Sequence, residues 1–261
     1  MFENISIGIK TFLRDEQLFN TIHAIRKYYK NTQMIIADCG EMTEEKDGLY
    51  ADLVREGHIH IDLPFDAGFG RMSNAIADRL TRPYLLMGSD DFDFSTNEAF
   101  IGVKNLVEVL ENNRYVDIAS GRVNDRPYEF MLTETDGVIT EVLAAAPRPS
   151  IMYPYYINNF YNVDLTVNYF LARNKVFDSV RWDDDVKIGG GEHGSMFLDL
   201  KRAGFKTVYV PGVNINEQQV RNSSRYNMYR RRAADPARPC FVKRGVKRYV
   251  LGNGVVDYQE A

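Results

Sequence analysis

Two clusters in this 261-residue chain combine residue types that do chemistry together. The first is Ser89-Asp90-Asp91-Phe92-Asp93-Phe94, directly after the apolar run 84–87. Three carboxylates at a strand's carboxyl end repel one another. A hard divalent cation, Mg²⁺ or Mn²⁺, itself bound to substrate phosphates, offsets that charge and neutralises a leaving diphosphate. The second cluster runs from Trp182 through Asp183-Asp184-Asp185 and Gly189-Gly190-Gly191 to Glu192 and His193. Three glycines let the backbone approach a ligand and swing into a helix. Glu192 or His193, at that helix's start, can then act as general base toward an acceptor hydroxyl. Each cluster also has a plainer reading: an acidic turn capping the helix near Asn97, and a first-turn acid favoured by the helix dipole. Together they favour an enzyme.

A third feature is electrostatic. The net charge is −4, yet Arg221, Arg225, Arg230, Arg231, Arg232, Arg238, Lys243, Arg244, Lys247 and Arg248 face only Asp235 within the same stretch. Such a segment attracts the phosphates of a donor, a nucleic acid or an anionic surface, and its plainer reading is a solvated tail. Tyr153, Tyr155, Tyr156 and Tyr161 form either a stacking wall for a sugar or base, or ordinary packing.

The elements that must position these residues are legible from periodicity. Strand patterns at 5–9, 34–37, 59–61 and 84–87 alternate with helical patterns at 16–29, 44–55 and 70–80. This alternation predicts parallel strands with right-handed crossovers, in a doubly wound sheet that binds ligands at the strands' carboxyl ends. After a helix at 97–110 the pattern changes. Strands are expected at 115–123, 129–135, 165–172 and 207–210, a helix at 192–203, and a Pro- and Tyr-rich loop at 147–160. A composition of 44% hydrophobic and 26% charged residues suits one α/β domain. No apolar run is long enough to span a membrane, and the N-terminal residues lack a signal-peptide pattern. Two cysteines, Cys39 and Cys240, are too few for a disulfide framework. A cytoplasmic protein, of a bacterium or a phage-infected host, is the expectation.

In order from residue 5 to about 210, these segments resemble GT-A glycosyltransferases of the large family-2 type. They are most similar to the β-1,4-N-acetylgalactosaminyltransferases. The resemblance implies a Rossmann-like, mostly parallel sheet with flanking helices and a small antiparallel addition. A GT-A domain would occupy residues 1–215, and the unmatched basic extension, 216–261, would pack on or near the active site. It further implies a nucleotide-diphosphate sugar as donor, a UDP-sugar above all, with Mn²⁺ or Mg²⁺ and inversion at the anomeric carbon. Thr11 and Arg14 fall in the donor-binding turn after the first strand. Asp38 matches the acid that holds the nucleotide base, and Asp66, Arg71 and Asn74 fall near ribose and diphosphate. Ser89-Asp90-Asp91 sits at the DxD motif. Ser89 replaces its first acid, which leaves Asp90 on the donor, Asp91 on the metal and Asp93 as a spare metal ligand. Trp182, Asp184, Gly190 and Gly191 fall in the acceptor-side motif. There His193 follows Glu192 where an acid is usual, so the base is one of these two. No histidine beyond His193 exists to serve as a further metal ligand.

Two acceptors rank nearly level: a glycan, or a hydroxymethylated base of phage-type DNA, which the compact chain and the basic stretch 221–248 favour more than a typical glycan enzyme would. For DNA, the phosphate contacts would be Arg230, Arg231, Arg232, Lys243, Arg244, Lys247 and Arg248. A nucleotidyltransferase making sugar nucleotides is the rival enzyme, but residues 10–16 lack the glycine of its phosphate loop. A non-enzymatic nucleic-acid-binding module is the rival of a different class. It would not need Asp90, Asp91 and Glu192.

Overall fold

The structure, a computed structural model, describes residues 2–126, 128–144, 160–188, 192–233, 237–251 and 254–258, with Glu192 described by its backbone alone. Gly189, Gly190, Gly191, Tyr153, Tyr155 and Tyr156 lie outside the described residues.

The first part of the chain alternates β1 (Ile5–Thr11), α1 (Asp15–Tyr28), β2 (Gln33–Asp38), α2 (Glu44–Arg55), β3 (Ile59–Asp62), α3 (Phe69–Asp78), β4 (Tyr84–Met87) and α4 (Asn97–Asn112). Then follow β5 (Ile118–Val123), β6 (Glu129–Thr135), β7 (Val138–Leu143), β8 (Tyr161–Val163), β9 (Leu165–Thr166), β10 (Phe170–Arg173) and α5 (Val176–Ser179). The chain closes with α6 (Glu192–Arg202), β11 (Thr207–Ile215), α7 (Ser224–Arg230), α8 (Arg238–Val242), β12 (Arg248–Leu251) and β13 (Gly254–Asp257).

Eight strands form the main sheet in the order β3-β2-β1-β4-β10-β5-β11-β8. β1 is parallel to β2 and β4, and β2 to β3. β10 runs antiparallel to both β4 and β5, so those two point the same way, and β11 is parallel to β5. The carboxyl ends of β1, β2, β4 and β11 therefore share one edge. All seven residues of β1 are buried, as a central parallel strand covered on both faces requires. Ile5, Ile7 and Ile9 pack with Leu18, Ile22 and Ile25 of α1, while Met72 and Ile76 of α3 cover the opposite face beside Ile35 and Ala37.

A second sheet runs β13-β12-β7-β6-β9. Its strands β12 and β13 come from the basic end, and β12 pairs parallel to β7. One expectation is corrected here. The single strand expected at 165–172 is split: Leu165 and Thr166 pair with β6 in the second sheet, and Phe170–Arg173 with β4 and β5 in the first. The expected strands around 118 and 130 lie in different sheets: β5 joins the main sheet and β6 the second. Both strands satisfy the same periodicity, which reports burial on one face and not the identity of the neighbour.

The start of α3 is docked on the segment 182–188. Lys187 Nζ donates to the carbonyls of Asp66 (2.6 Å) and Ala67 (3.1 Å), and the Gly70 amide donates to Val186 O (3.1 Å). Gly68 has φ of 102°, and a Cβ on it would lie 2.7 Å from Val186 O. On Gly70 a Cβ would lie 1.8 Å from Asp183 O. Gly48, inside α2, would meet nothing within 4 Å. Urea denaturation of Gly70→Ala is therefore expected to show a loss of about 1–3 kcal/mol, as overpacking does. Gly48→Ala is expected to gain about 0.5–1 kcal/mol from the helix preference of alanine. Equal effects at the two sites would contradict this packing.

Candidate active site

A cavity of about 320 Å³ opens at the shared carboxyl edge. Lys10, Thr11 and Arg14 reach it from the end of β1, Ser89 and Asp91 from the turn after β4, and Glu217 from the exit of β11. Phe69 and His193 come from the first turns of α3 and α6, and Tyr226 and Arg230 from α7.

Arg14 organises this edge. Its Nε donates to Asp90 Oδ2 (3.2 Å), its amino groups form ion pairs with both Asp90 and Asp91, and Ser89 Oγ lies 3.4 Å away. The Tyr226 ring centroid lies 4.7 Å from the guanidinium carbon. Asp90 is fully buried; burial pushes its carboxyl up to about 6, while Arg14 pulls it down. Burial lowers the Arg14 guanidinium, but Asp90 and Asp91 more than offset this and hold it above its ordinary value. The backbone of the acidic turn is pinned from two sides. Thr21 Oγ1 of α1 donates toward the carbonyls of Asp90 (2.8 Å) and Phe92 (3.0 Å). The exit of β11 supplies Gln218 N to Asp91 O (2.7 Å) and accepts Asp93 N on Asn216 O (2.8 Å).

That exit brings Glu217 into the cavity, held through its amide and one carboxylate oxygen by the Asn124 side chain, both at 2.8 Å. The sequence reading missed Glu217 because it ended the last strand at residue 210. The signal was the one that marked Asp91: an acid just past a strand of the same sheet. Tyr226 was also missed, an aromatic among arginines whose partner Arg14 lies far away in sequence.

Of the residues expected to act together, Thr11, Arg14, Asp91 and His193 line the cavity, and Asp90 lies beneath it on Arg14. The His193 ring meets Phe69 edge-on at 5.6 Å. Asp38, Asp66, Arg71, Asn74, Asp93, Trp182 and Asp184 are not among the cavity's walls. Asp93 turns back to accept from the Ser95 amide (2.9 Å) and hydroxyl (2.5 Å). Asp66 pairs with Arg232. Arg71 and Asn74 face a second cavity of about 680 Å³ with Trp182, Asp184, Lys243 and Arg244. Asn74 ties the Trp182 backbone through its amide and carbonyl (3.0 and 2.9 Å) and reaches Asp184 (2.8 Å), and Trp182 stacks on Phe177.

Asp38 is 1% exposed, and both its oxygens are engaged within the chain. Oδ1 accepts from Gly40 N (2.7 Å), while Oδ2 accepts from the Tyr50 hydroxyl (2.7 Å) and pairs with Lys46 (3.0 Å). Lys46, itself fully buried, also reaches Asp15 (2.7 Å).

Several cations of the basic end are paired inside the chain. Lys243 pairs with Asp183 (2.6 Å), Arg244 with Asp183 (3.1 Å) and Asp199 (2.6 Å), Arg248 with Asp257 (2.5 Å), and Arg225 with Glu41 (2.6 Å). Arg230, Arg231 and Lys247 are exposed. Cys39 and Cys240 are buried free thiols, each pushed up to about 11 by burial. Among the described residues no helix is long and apolar enough to cross a membrane.

Solved structures with the same architecture include GalNAc-T7 with UDP, GalNAc and Mn²⁺, at a TM-score of 0.64 and 13% identity over 92% of this chain and 47% of that one. Glucosyl-3-phosphoglycerate synthase from Mycobacterium tuberculosis with Mg²⁺ and UDP superposes at 0.55, with 13% identity over 93% of this chain and 79% of that one. The chain carries the GT-A fold. No family model matches it. In sequence this GT-A chain is similar to β-1,4 N-acetylgalactosaminyltransferase 2 of Mus musculus, 28% identical over 225 residues, 82% of this chain and 39% of that protein. It is likewise 28% identical over 203 residues to β-1,4 N-acetylgalactosaminyltransferase 1 of Homo sapiens, 75% of this chain and 35% of the relative. It thus spans well under half the length of these curated relatives.

The Asp38 cluster gives a stability test in this GT-A chain. Lys46→Met strips Asp38 of its buried cation, so urea denaturation should show a loss of about 3 kcal/mol. Unchanged stability would mean that the Asp38 charge is compensated elsewhere.

Proposed function

We propose that this chain is a glycosyltransferase that moves a sugar from a UDP-sugar to a hydroxyl acceptor, with a divalent cation on the donor diphosphate. The observation that carries this reading is the meeting of Arg14, Asp91 and His193 in one cavity at the carboxyl edge of a GT-A sheet. The sugar transfer named in the relatives, and the UDP with Mn²⁺ or Mg²⁺ in the neighbouring structures, point to the same chemistry.

The donor set suits a cation delivered with the nucleotide. Among the described residues no three His, Cys, Asp or Glu side chains come together to hold a metal alone. Mg²⁺ commonly binds one or two carboxylates plus substrate phosphates, and Asp91, with 18% of its side chain exposed, is the carboxylate open to the cavity. When bound, Mn²⁺ or Mg²⁺ would neutralise charge on the leaving diphosphate. Lys10, Arg14 and Arg230 add positive charge around that group. His193 accepts the proton of the acceptor hydroxyl as its oxygen bonds to the anomeric carbon and the bond from that carbon to the diphosphate oxygen breaks. A single displacement of this kind inverts the anomeric centre.

The acceptor we favour is a glycan. Four of the cations that would grip DNA, Arg232, Lys243, Arg244 and Arg248, are held by carboxylates of the same chain. This leaves Arg230, Arg231 and Lys247 for phosphates. A salt titration of duplex binding, on plain and hydroxymethylated DNA, should then give a slope no steeper than about −3 in log affinity against log salt. A slope near −6, as seven phosphate contacts give, would turn the reading to DNA.

Asp91→Asn should abolish transfer while leaving the unfolding midpoint within a few degrees of the parent. Near-normal metal-dependent transfer by this variant would refute the assignment of the site. His193→Ala should lower kcat by about 10²–10⁴-fold with little change in donor affinity. Full activity of His193→Ala together with a similar loss in Glu192→Gln would move the base to Glu192.

A further inference from the structure

Arg14 is bound to the acidic turn more completely than attraction of a diphosphate requires. Its side chain is 10% exposed, against 0% for Asp90 and 18% for Asp91. Its Nε and both amino groups are directed at Asp90, Asp91 and Ser89, and Tyr226 covers its face. A guanidinium fork of this kind matches carboxylate geometry and is strongly held. One of the two Asp91 carboxylate oxygens, Oδ2, is paired with Arg14, so a divalent cation on this carboxylate would sit beside the guanidinium. A guanidinium and a divalent cation on one carboxylate repel each other at short range, in a site poorly screened by water.

We propose that Arg14 is the resting counter-ion of the carboxylate pair. It competes with the divalent cation for Asp91 and is released toward the donor diphosphate only when nucleotide and cation arrive together. The diphosphate supplies the negative charge that lets both cations occupy the site. Cation and nucleotide are then coupled, each tightening the other by the same factor. This rests on the reading of the cavity as a nucleotide-diphosphate site.

The test is equilibrium binding of Mn²⁺ to the full chain, followed by the electron paramagnetic resonance of free Mn²⁺, with and without saturating UDP. In the parent protein UDP should tighten Mn²⁺ by about tenfold or more. Arg14→Gln should bind Mn²⁺ alone about tenfold or more tighter than the parent, and UDP should add much less. Arg14→Lys keeps the charge but loses the fork, so its Mn²⁺ affinity without UDP should fall between the two. It carries the test if Arg14→Gln fails to fold. If the parent binds UDP with Mn²⁺ but neither variant binds Mn²⁺ alone more tightly, the competition is overturned. If the parent binds no UDP under any condition, the donor reading falls with it.

Discussion

The ion cluster of Arg14 with Asp90 and Asp91 is the interaction on which the candidate site depends. A carboxylate as buried as Asp90 is costly unless a cation stands against it. The fold places that cation by the simplest route open to it. β1 and β4 are neighbours in parallel register, so the residues that follow them emerge side by side at one edge. Arg14 comes from the first exit and Ser89-Asp90-Asp91 from the second. Thr21 on α1 and Gln218 after β11 then hold the acidic turn by its backbone, leaving its carboxylates to Arg14 and the cavity.

Other parts of the chain support this edge by charge and shape. α7 covers the first exit with Tyr226 on Arg14 and with Tyr229 against Phe12 and Phe65. The ion pairs of Arg225 with Glu41 and Arg232 with Asp66 anchor its two flanks. Part of the cationic end therefore acts as internal counter-charge, with Arg244 joining α6 to the segment that carries Asp183. A net-charge count cannot distinguish this from an anion-binding tail, because the partner acids all lie outside the stretch 221–248, 9 to 184 positions from their cations.

Most of the fold was legible in the sequence where local periodicity and global packing agree. The helix at 44–55 and the strand at 129–135 match the structure end to end. β1 through α4 were legible because a doubly wound half alternates strand and helix with little ambiguity. Short strands such as β9, β12 and β13 carry too few residues for a period to register. The candidate site divides in the same way. Asp91, Arg14 and His193 announce themselves by type and by place at the ends of elements. Glu217 and Tyr226 reach the cavity only through the path of β11 and the return of α7. Asn74, grouped with the donor by resemblance, ties α3 to the backbone of Trp182, and Arg71 lines the second cavity beside them.

The central claim, a cavity that takes a nucleotide-diphosphate sugar, is tested most directly by incubating the chain with a panel of nucleotide sugars and measuring release of nucleoside diphosphate, with Mn²⁺, with Mg²⁺ and after chelation. The account predicts slow hydrolysis of at least one UDP-sugar that is lost on chelation. Absence of both hydrolysis and binding across the whole panel would contradict it.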